Sequence, residues 1–280
     1  MPSETITLTD GTKLNAIVEG SGPPLIMVPG WSQSANGFKH QIASLSDVRT
    51  VIALDMRGHG NSDKPKTGYR IQRLAKDLFD VICAKGLEQP DVLGHSMGCS
   101  IIWSYNSMFG AEKPLGRLIL VDQAPAVVAQ PGWDEDTKSN AGCLLPDMEA
   151  LAGFMDGVIA STTADATKEI IRGMFTEDVD EADLDWIAAE NIKLPRDRAA
   201  HLLHDHCVLD WRTEIEAISN PTLVIGGEAS IFSAASQRWI SEHIPDAQVE
   251  VFGADEGGSH FMFWQNSQKF NAIVKAFLAA

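Results

Sequence analysis

Cysteine is scarce in this chain: Cys83, Cys99, Cys143 and Cys207 are the only four in 280 residues, with no Cys-x-x-Cys pair and no histidine at zinc-finger spacing. A disulfide framework and a structural metal are thereby excluded as organising devices, and buried free thiols are the reading that remains. Positive charge is also short, with 22 Lys and Arg against 38 Asp and Glu and a formal net charge of −16. A nucleic-acid backbone or an anionic membrane surface would be repelled by such a chain. No apolar run approaches the ~18 residues of a membrane span. The opening "MPSETITLTDGTKLN" lacks the basic-then-apolar profile of a secretory signal, so a cytoplasmic location is expected. Internal repeats and low-complexity tracts are missing as well.

What the chain does have is apolar content, 44% of its residues, enough for a sizeable core. "TITLTD" and "KLNAIVEG" read as an opening hairpin. "PLIMVPG" and "TVIALDM" read as buried strands that empty into loops. "RIQRLAKDLFDVICAKG" places Ile71, Leu74, Leu78, Val81 and Ile82 at helical spacing and stops at Gly86. Strands alternating with helices predict a mostly parallel sheet. After Pro125 the texture changes: "MEALAGFMDGVIAS", "ATKEIIRGMF", "EADLDWIAAENI" and "RAAHLLHDHCVLDW" are all helical patterns. Residues 126–220 therefore read as an inserted helical cap, and residues 1–125 with 221–280 as the α/β core.

Gly94-His95-Ser96-Met97-Gly98 carries the chemistry. It lies between a predicted strand and a predicted helix, the context in which Gly-x-Ser-x-Gly forms a sharp turn that exposes a serine hydroxyl. A serine needs a base to become a nucleophile. Of the eight histidines, His260 in "GADEGGSHFMFW" is the candidate, because its Gly-rich loop follows the last strand and returns to the sheet edge where Ser96 stands. His201, His204 and His206 in "HLLHDHC" raise the question of a metal, but they do not share one helical face and bring no further ligand group. No metal and no cofactor are expected.

"VPGW", "DMRGHGNSDKP", "GHSMG" and "GGSHFMFW" follow one another in the order of landmarks of the α/β-hydrolase fold, and the chain resembles that family over its whole length. The resemblance is to the esterase, lactonase and non-heme peroxidase-like branch. It implies a mostly parallel eight-stranded sheet flanked by helices. It also implies an oxyanion hole made by the backbone N–H groups of Trp31 and Met97, where preorganised donors stabilise the charge of a tetrahedral intermediate.

The catalytic acid is harder to place. Many members carry it after the seventh strand, where this chain has Ser230 in "GGEAS". Asp122, at the end of "RLILVDQAP", follows Ser96 by one helix and one strand and should emerge beside it. It is the favoured acid, with Glu228 as the alternative and Ser230 as a supporting hydrogen-bond partner. Asp255 and Glu256 are expected to face solvent.

A serine at the elbow disfavours halide displacement or epoxide opening, which need a carboxylate nucleophile. Acyl transfer from a small, rather hydrophobic ester, thioester or lactone is the expected reaction. Trp31, Gln33, His95, Trp133, Phe154 and Phe261 are the expected pocket residues, with Met148, Met155, Met174 and Phe175 as further candidates. "VPGWSQSANGF" also resembles the cofactor-free ring-cleaving dioxygenases of this fold, although Gln33 stands near the position where those carry a histidine. Acyl transfer to peroxide, of the perhydrolase or haloperoxidase type, and a ligand-binding receptor on the same fold complete the alternatives. The expected partner is a small molecule; homo-oligomerisation is left open.

Overall fold

The computed structural model describes residues 2–176 and 179–280; residues 177 and 178, within the expected cap, lie outside the described residues. The chain opens with the antiparallel pair β1 (Ser3–Thr7) and β2 (Lys13–Glu19). It continues through β3 (Pro24–Val28), α1 (Lys39–Leu45), β4 (Thr50–Leu54), α2 (Ile71–Ala84), β5 (Asp91–His95), α3 (Met97–Phe109) and β6 (Leu118–Val121). Between this strand and the next lie α4 (Glu135–Ala141), α5 (Met148–Ala160), α6 (Ala164–Arg172), α7 (Glu181–Asn191), α8 (Arg196–Cys207) and α9 (Arg212–Glu216). The sheet then resumes with β7 (Thr222–Gly227), α10 (Ala234–Glu242) and β8 (Ala247–Phe252), before α11 (Met262–Gln265) and α12 (Ser267–Ala279) close the chain.

Eight strands form one sheet in the order β1-β2-β4-β3-β5-β6-β7-β8, parallel from β4 onward. The central strands are mostly apolar because both faces are covered, and successive side chains divide between two cores. Ile26, Val28, Ile52, Leu54, Val92, Leu118, Leu120 and Val224 pack with α2 and α3. Leu25, Met27, Val51, Ala53, Leu93, Ile119, Val121, Leu223 and Ile225 pack on the opposite side with α1 and α12. The helical periodicity of α2 is met by burial of Ile71, Leu74, Leu78, Val81 and Ile82. The shortest helices, α9 and α11, carry too few turns for a periodicity to register in the sequence.

Two glycines let α3 sit close to the sheet. A Cβ on Gly98 would lie 2.3 Å from the Val28 carbonyl oxygen, and one on Gly94 would lie 2.7 Å from the carbonyl of Gly98. The first contact is with backbone, which cannot rotate away. Gly98→Ala is therefore expected to lower stability by about 2–3 kcal/mol, read as a fall in the urea midpoint with an unchanged slope. A variant as stable as the parent would refute this packing account.

The helical insertion leaves and re-enters at one point. Ala126 bridges Asp210, and the Trp211 N–H donates to the Pro125 carbonyl at 2.9 Å. After this point α9 packs on α3. Asp205 of α8 accepts from the Ile71 N–H at 2.8 Å, supplying the N-terminus of α2 with a cap that Arg70 does not provide.

Candidate active site

The loops that leave β3, β5 and β6 each contain a non-glycine residue in the left-handed region: Ser32 (φ 60°), Ser96 (φ 52°) and Asp122 (φ 51°). Such backbone is disfavoured for an L-residue and persists where the surroundings hold it. Here the holding groups are visible. β5 and β6 pair in register through His95 and Val121, the Ser96 N–H donates to the Val121 carbonyl at 2.8 Å, and the Asp122 N–H donates to the Ile225 carbonyl at 2.8 Å. The serine and the aspartate thereby occupy equivalent positions on adjacent parallel strands.

His260 follows β8 through the turn Ala254–Glu256 and is 4% exposed. Its Nδ1 lies 2.6 Å from Asp122 Oδ2, and Asp122 is completely buried. With the carboxylate ionised, Nδ1–H donates and Nε2 is left with its lone pair free. Ser230 Oγ donates to the same carboxylate oxygen, which is the supporting contact expected of it from the sequence. Asp122 Oδ1 is buried and, among the described residues, has no hydrogen-bond partner. The other end of the His260 residue is held too: its N–H donates to the Met174 carbonyl at 3.1 Å, and its carbonyl lies 2.9 Å from His95 Nε2.

Trp31 and Met97, the expected oxyanion donors, flank the serine from two directions. Met97 is the first residue of α3, where an N–H has no intrahelical acceptor. Gly30 brings the other loop close, since a Cβ there would stand 3.1 Å from the Ser96 Cβ. The Trp31 indole Nε1–H donates to the Ala199 carbonyl at 2.8 Å, tying this loop to α8. Three more contacts reinforce the tie: Ser32 Oγ to the Asn191 carbonyl (2.8 Å), Ser34 Oγ to Glu190 Oε2 (2.6 Å) and Arg196 Nη2 to Ser32 Oγ (2.8 Å).

Ser96 and His260 open into a cavity of about 160 Å³. That is the scale of a single aromatic ring or a short acyl chain, since an engineered cavity of roughly 150 Å³ takes benzene. Trp31, Gln33, His95, Phe154 and Phe261 line it, as does Met174. Trp133 is a correction: it lies away from the cavity with its ring 4.3 Å from the Arg212 guanidinium carbon, a cation–π contact at the base of the insertion. Met148 and Met155 do not line the cavity, and Met148 is exposed on α5. Phe175 packs behind the wall, stacked on Phe261 with centroids 4.6 Å apart. Glu228 is exposed and, among the described residues, makes no hydrogen bond or ion pair with His260, whose Nδ1 contacts Asp122; its backbone N–H is spent on the Phe252 carbonyl. Asp255 and Glu256 face solvent.

The histidine cluster on α8 separates as helical geometry requires. His201 and His204 are exposed while His206 is buried, and among the described residues no group of metal-ligating side chains forms. His206 and Asn191 line the cavity and were not foreseen there. A signal existed for the first: His206 lies three and four residues after Leu203 and Leu202, on the apolar side of α8.

Burial holds both His59 and His206 at a pKa of about 4, below the ordinary 6.5. His95 is likewise lowered, by burial first and then by the charge of His260. Between pH 6.5 and about 4 the unfolded chain binds protons that these folded groups do not. Their contribution to stability is whole above pH 6.5 and is lost as pH falls through that window, up to about 3 kcal/mol for each of the two. The urea midpoint is expected to drop on going from pH 7 to pH 5; a constant midpoint would contradict it.

Comparison with known proteins agrees with this architecture. The family described as "alpha/beta hydrolase fold" matches residues 23–169. The chain is 29% identical over 248 residues to the 2-(acetamidomethylene)succinate hydrolase of Mesorhizobium japonicum, covering 86% of this chain and 84% of that protein. Among solved structures it superimposes on an esterase from Exiguobacterium antarcticum with a TM-score of 0.87 at 24% identity, covering 100% of both chains. A bromoperoxidase from Bacillus anthracis superimposes with a TM-score of 0.89 at 21% identity, again over 100% of both. At those identities the structural likeness speaks for the fold.

Proposed function

Since the chain belongs to the α/β-hydrolase-fold family, we propose that it is a serine hydrolase that cleaves a carboxylic ester, thioester or lactone of a small, rather hydrophobic molecule. The observation that carries this reading is the 2.6 Å contact between His260 Nδ1 and Asp122 Oδ2, with Ser96 and His260 lining one cavity. Ser96 Oγ attacks the carbonyl carbon as His260 Nε2 takes its proton. Asp122 holds the imidazole in the tautomer that leaves Nε2 free and stabilises the imidazolium without taking the proton itself. The Trp31 and Met97 N–H groups receive the oxyanion, each donor supplying roughly 3–4 kcal/mol in a comparable site. Collapse of the intermediate expels the alcohol or thiol, which takes the proton from His260. Water, deprotonated by His260, then releases the acyl group.

The helical insertion, residues 126–220, is the cap in this reading, contributing Phe154, Leu203 and His206 to the cavity. The apolar lining supports a hydrophobic acyl group. Gln33 offers no acid or base at neutral pH, so the ring-cleaving alternative draws no support from this position. Hydrolysis of p-nitrophenyl esters, together with a fluorophosphonate adduct located by mass spectrometry on the peptide containing Ser96, is the expected result. Absence of both turnover and labelling would refute the proposal.

A further inference from the structure

His206 is the exception among the buried histidines. His59 Nδ1 lies 2.9 Å from the Arg57 carbonyl, His95 Nε2 lies 2.9 Å from the His260 carbonyl, and His260 Nδ1 contacts Asp122. His206 is 5% exposed, its Nδ1 is buried with no partner, and among the described residues neither ring nitrogen makes a hydrogen bond. Buried polar groups are nearly always satisfied, and an unsatisfied one weakens the fold where a phenylalanine of similar shape would not. This ring also borders the cavity that holds Ser96 and His260.

The rest of the cavity wall narrows what it could meet. Among the described residues the lining contains no Lys, Arg, Asp or Glu, so a charged substrate group would enter without a counter-ion. On another part of the wall Thr167 Oγ1 donates to Asn191 Oδ1 at 3.2 Å, and that carbonyl oxygen also accepts from Arg196. Gln33, two residues from Trp31, belongs to the reacting end. Leu203 and Cys207, neighbours of His206 on α8, line the cavity with it.

We propose that His206 is a specificity-determining residue, its imidazole meeting a hydroxyl or carbonyl on an uncharged substrate whose remaining surface is apolar. The proposal rests on the serine-hydrolase reading for the reaction, but the recognition it describes is a property of the cavity and is measurable without turnover. Held neutral by burial, the ring carries one N–H donor and one acceptor, and so serves either group.

The test pairs p-nitrophenyl butyrate with p-nitrophenyl 3-hydroxybutyrate, and p-nitrophenyl phenylacetate with its 4-hydroxy derivative. The parent enzyme is expected to favour the hydroxylated member of at least one pair by about tenfold in kcat/KM, a preference that His206→Phe and His206→Leu abolish and His206→Gln partly retains. Both apolar variants are expected to unfold at the parent's temperature or higher, which a histidine serving the fold alone would not allow. If the parent enzyme turns over no ester, the hydrolase reading fails by itself. Calorimetric titration of Ser96→Ala, with and without His206→Phe, then decides the present proposal through the same discrimination in binding. Equal treatment of both members of each pair by the parent enzyme, or a preference unmoved in the apolar variants, would overturn it.

Discussion

Replacing Ser96 with alanine is expected to lower kcat for p-nitrophenyl esters by a factor on the order of 10⁴ to 10⁶ and to abolish fluorophosphonate labelling, while leaving the fold intact. The size of the effect follows from the role: without Oγ there is no acyl-enzyme, and what survives is the contribution of the oxyanion donors and of substrate binding to direct attack by water. The fold should tolerate the change because Ser96 makes no side-chain cap to α3, and its backbone is held by the N–H bond to Val121. Alanine at φ 52° keeps the same backbone strain that serine bears, so the circular dichroism spectrum and the urea midpoint should move little. Activity within tenfold of the parent would remove Ser96 from the chemistry.

Asp122→Asn is expected to have the next largest effect, a fall in kcat on the order of 10⁴-fold with far smaller change in KM. Asparagine keeps the shape of the side chain but offers His260 Nδ1 either an amide donor or a neutral oxygen. In the first case the imidazole is driven to the tautomer with the proton on Nε2, where it cannot accept from Ser96; in the second the imidazolium loses its anion. Glu228→Gln in parallel should change kcat by no more than roughly twofold, as for an exposed substitution. If the glutamine variant lost activity and the asparagine variant kept it, the acid would have to be reassigned to the loop after β7. The labelling rate with a fluorophosphonate separates this from a change in substrate affinity, since the probe reports the nucleophilicity of Ser96.

Much of the architecture was legible because β3, β4, β6 and β7 are short, mostly apolar runs that give way to Gly or Asp, and because Gly94 and Gly98 sit where the serine turn needs small residues. The position of Ser96 followed from local pattern alone. Asp122 was legible only in part. That it would emerge next to Ser96 followed from strand order, but its choice over Glu228 depended on where two loops point, and side-chain alternation is a poor guide once backbone leaves the extended region. Asp122 does leave it, at φ 51°, and nothing in "LVDQAP" announces that turn. Trp133 was misplaced for a related reason: aromatic residues in the insertion looked equivalent in sequence, and only tertiary packing assigns this one to Arg212 and Phe154 to the cavity. His206 was read with its two histidine neighbours as a question about metal, whereas its burial among leucines set it apart from them.

The four contacts between residues 31–34 and the α7–α8 region bear on how this protein can be recombined. Because Arg196, Asn191 and Ala199 hold the segment that contains the Trp31 N–H, the insertion is not a module to be exchanged at its two chain junctions. A chimera that takes residues 126–210 from another hydrolase while keeping this core would replace the Glu190 and Arg196 side chains and put the Asn191 and Ala199 carbonyls on a different backbone. The segment of residues 31–34, which in the proposed reaction presents the Trp31 N–H to the oxyanion, would have to find new support or drift, even with Ser96, Asp122 and His260 untouched. Specificity transplanted by that route would arrive together with a loss of rate, and restoring the rate would require carrying residues 31–34 across with the graft.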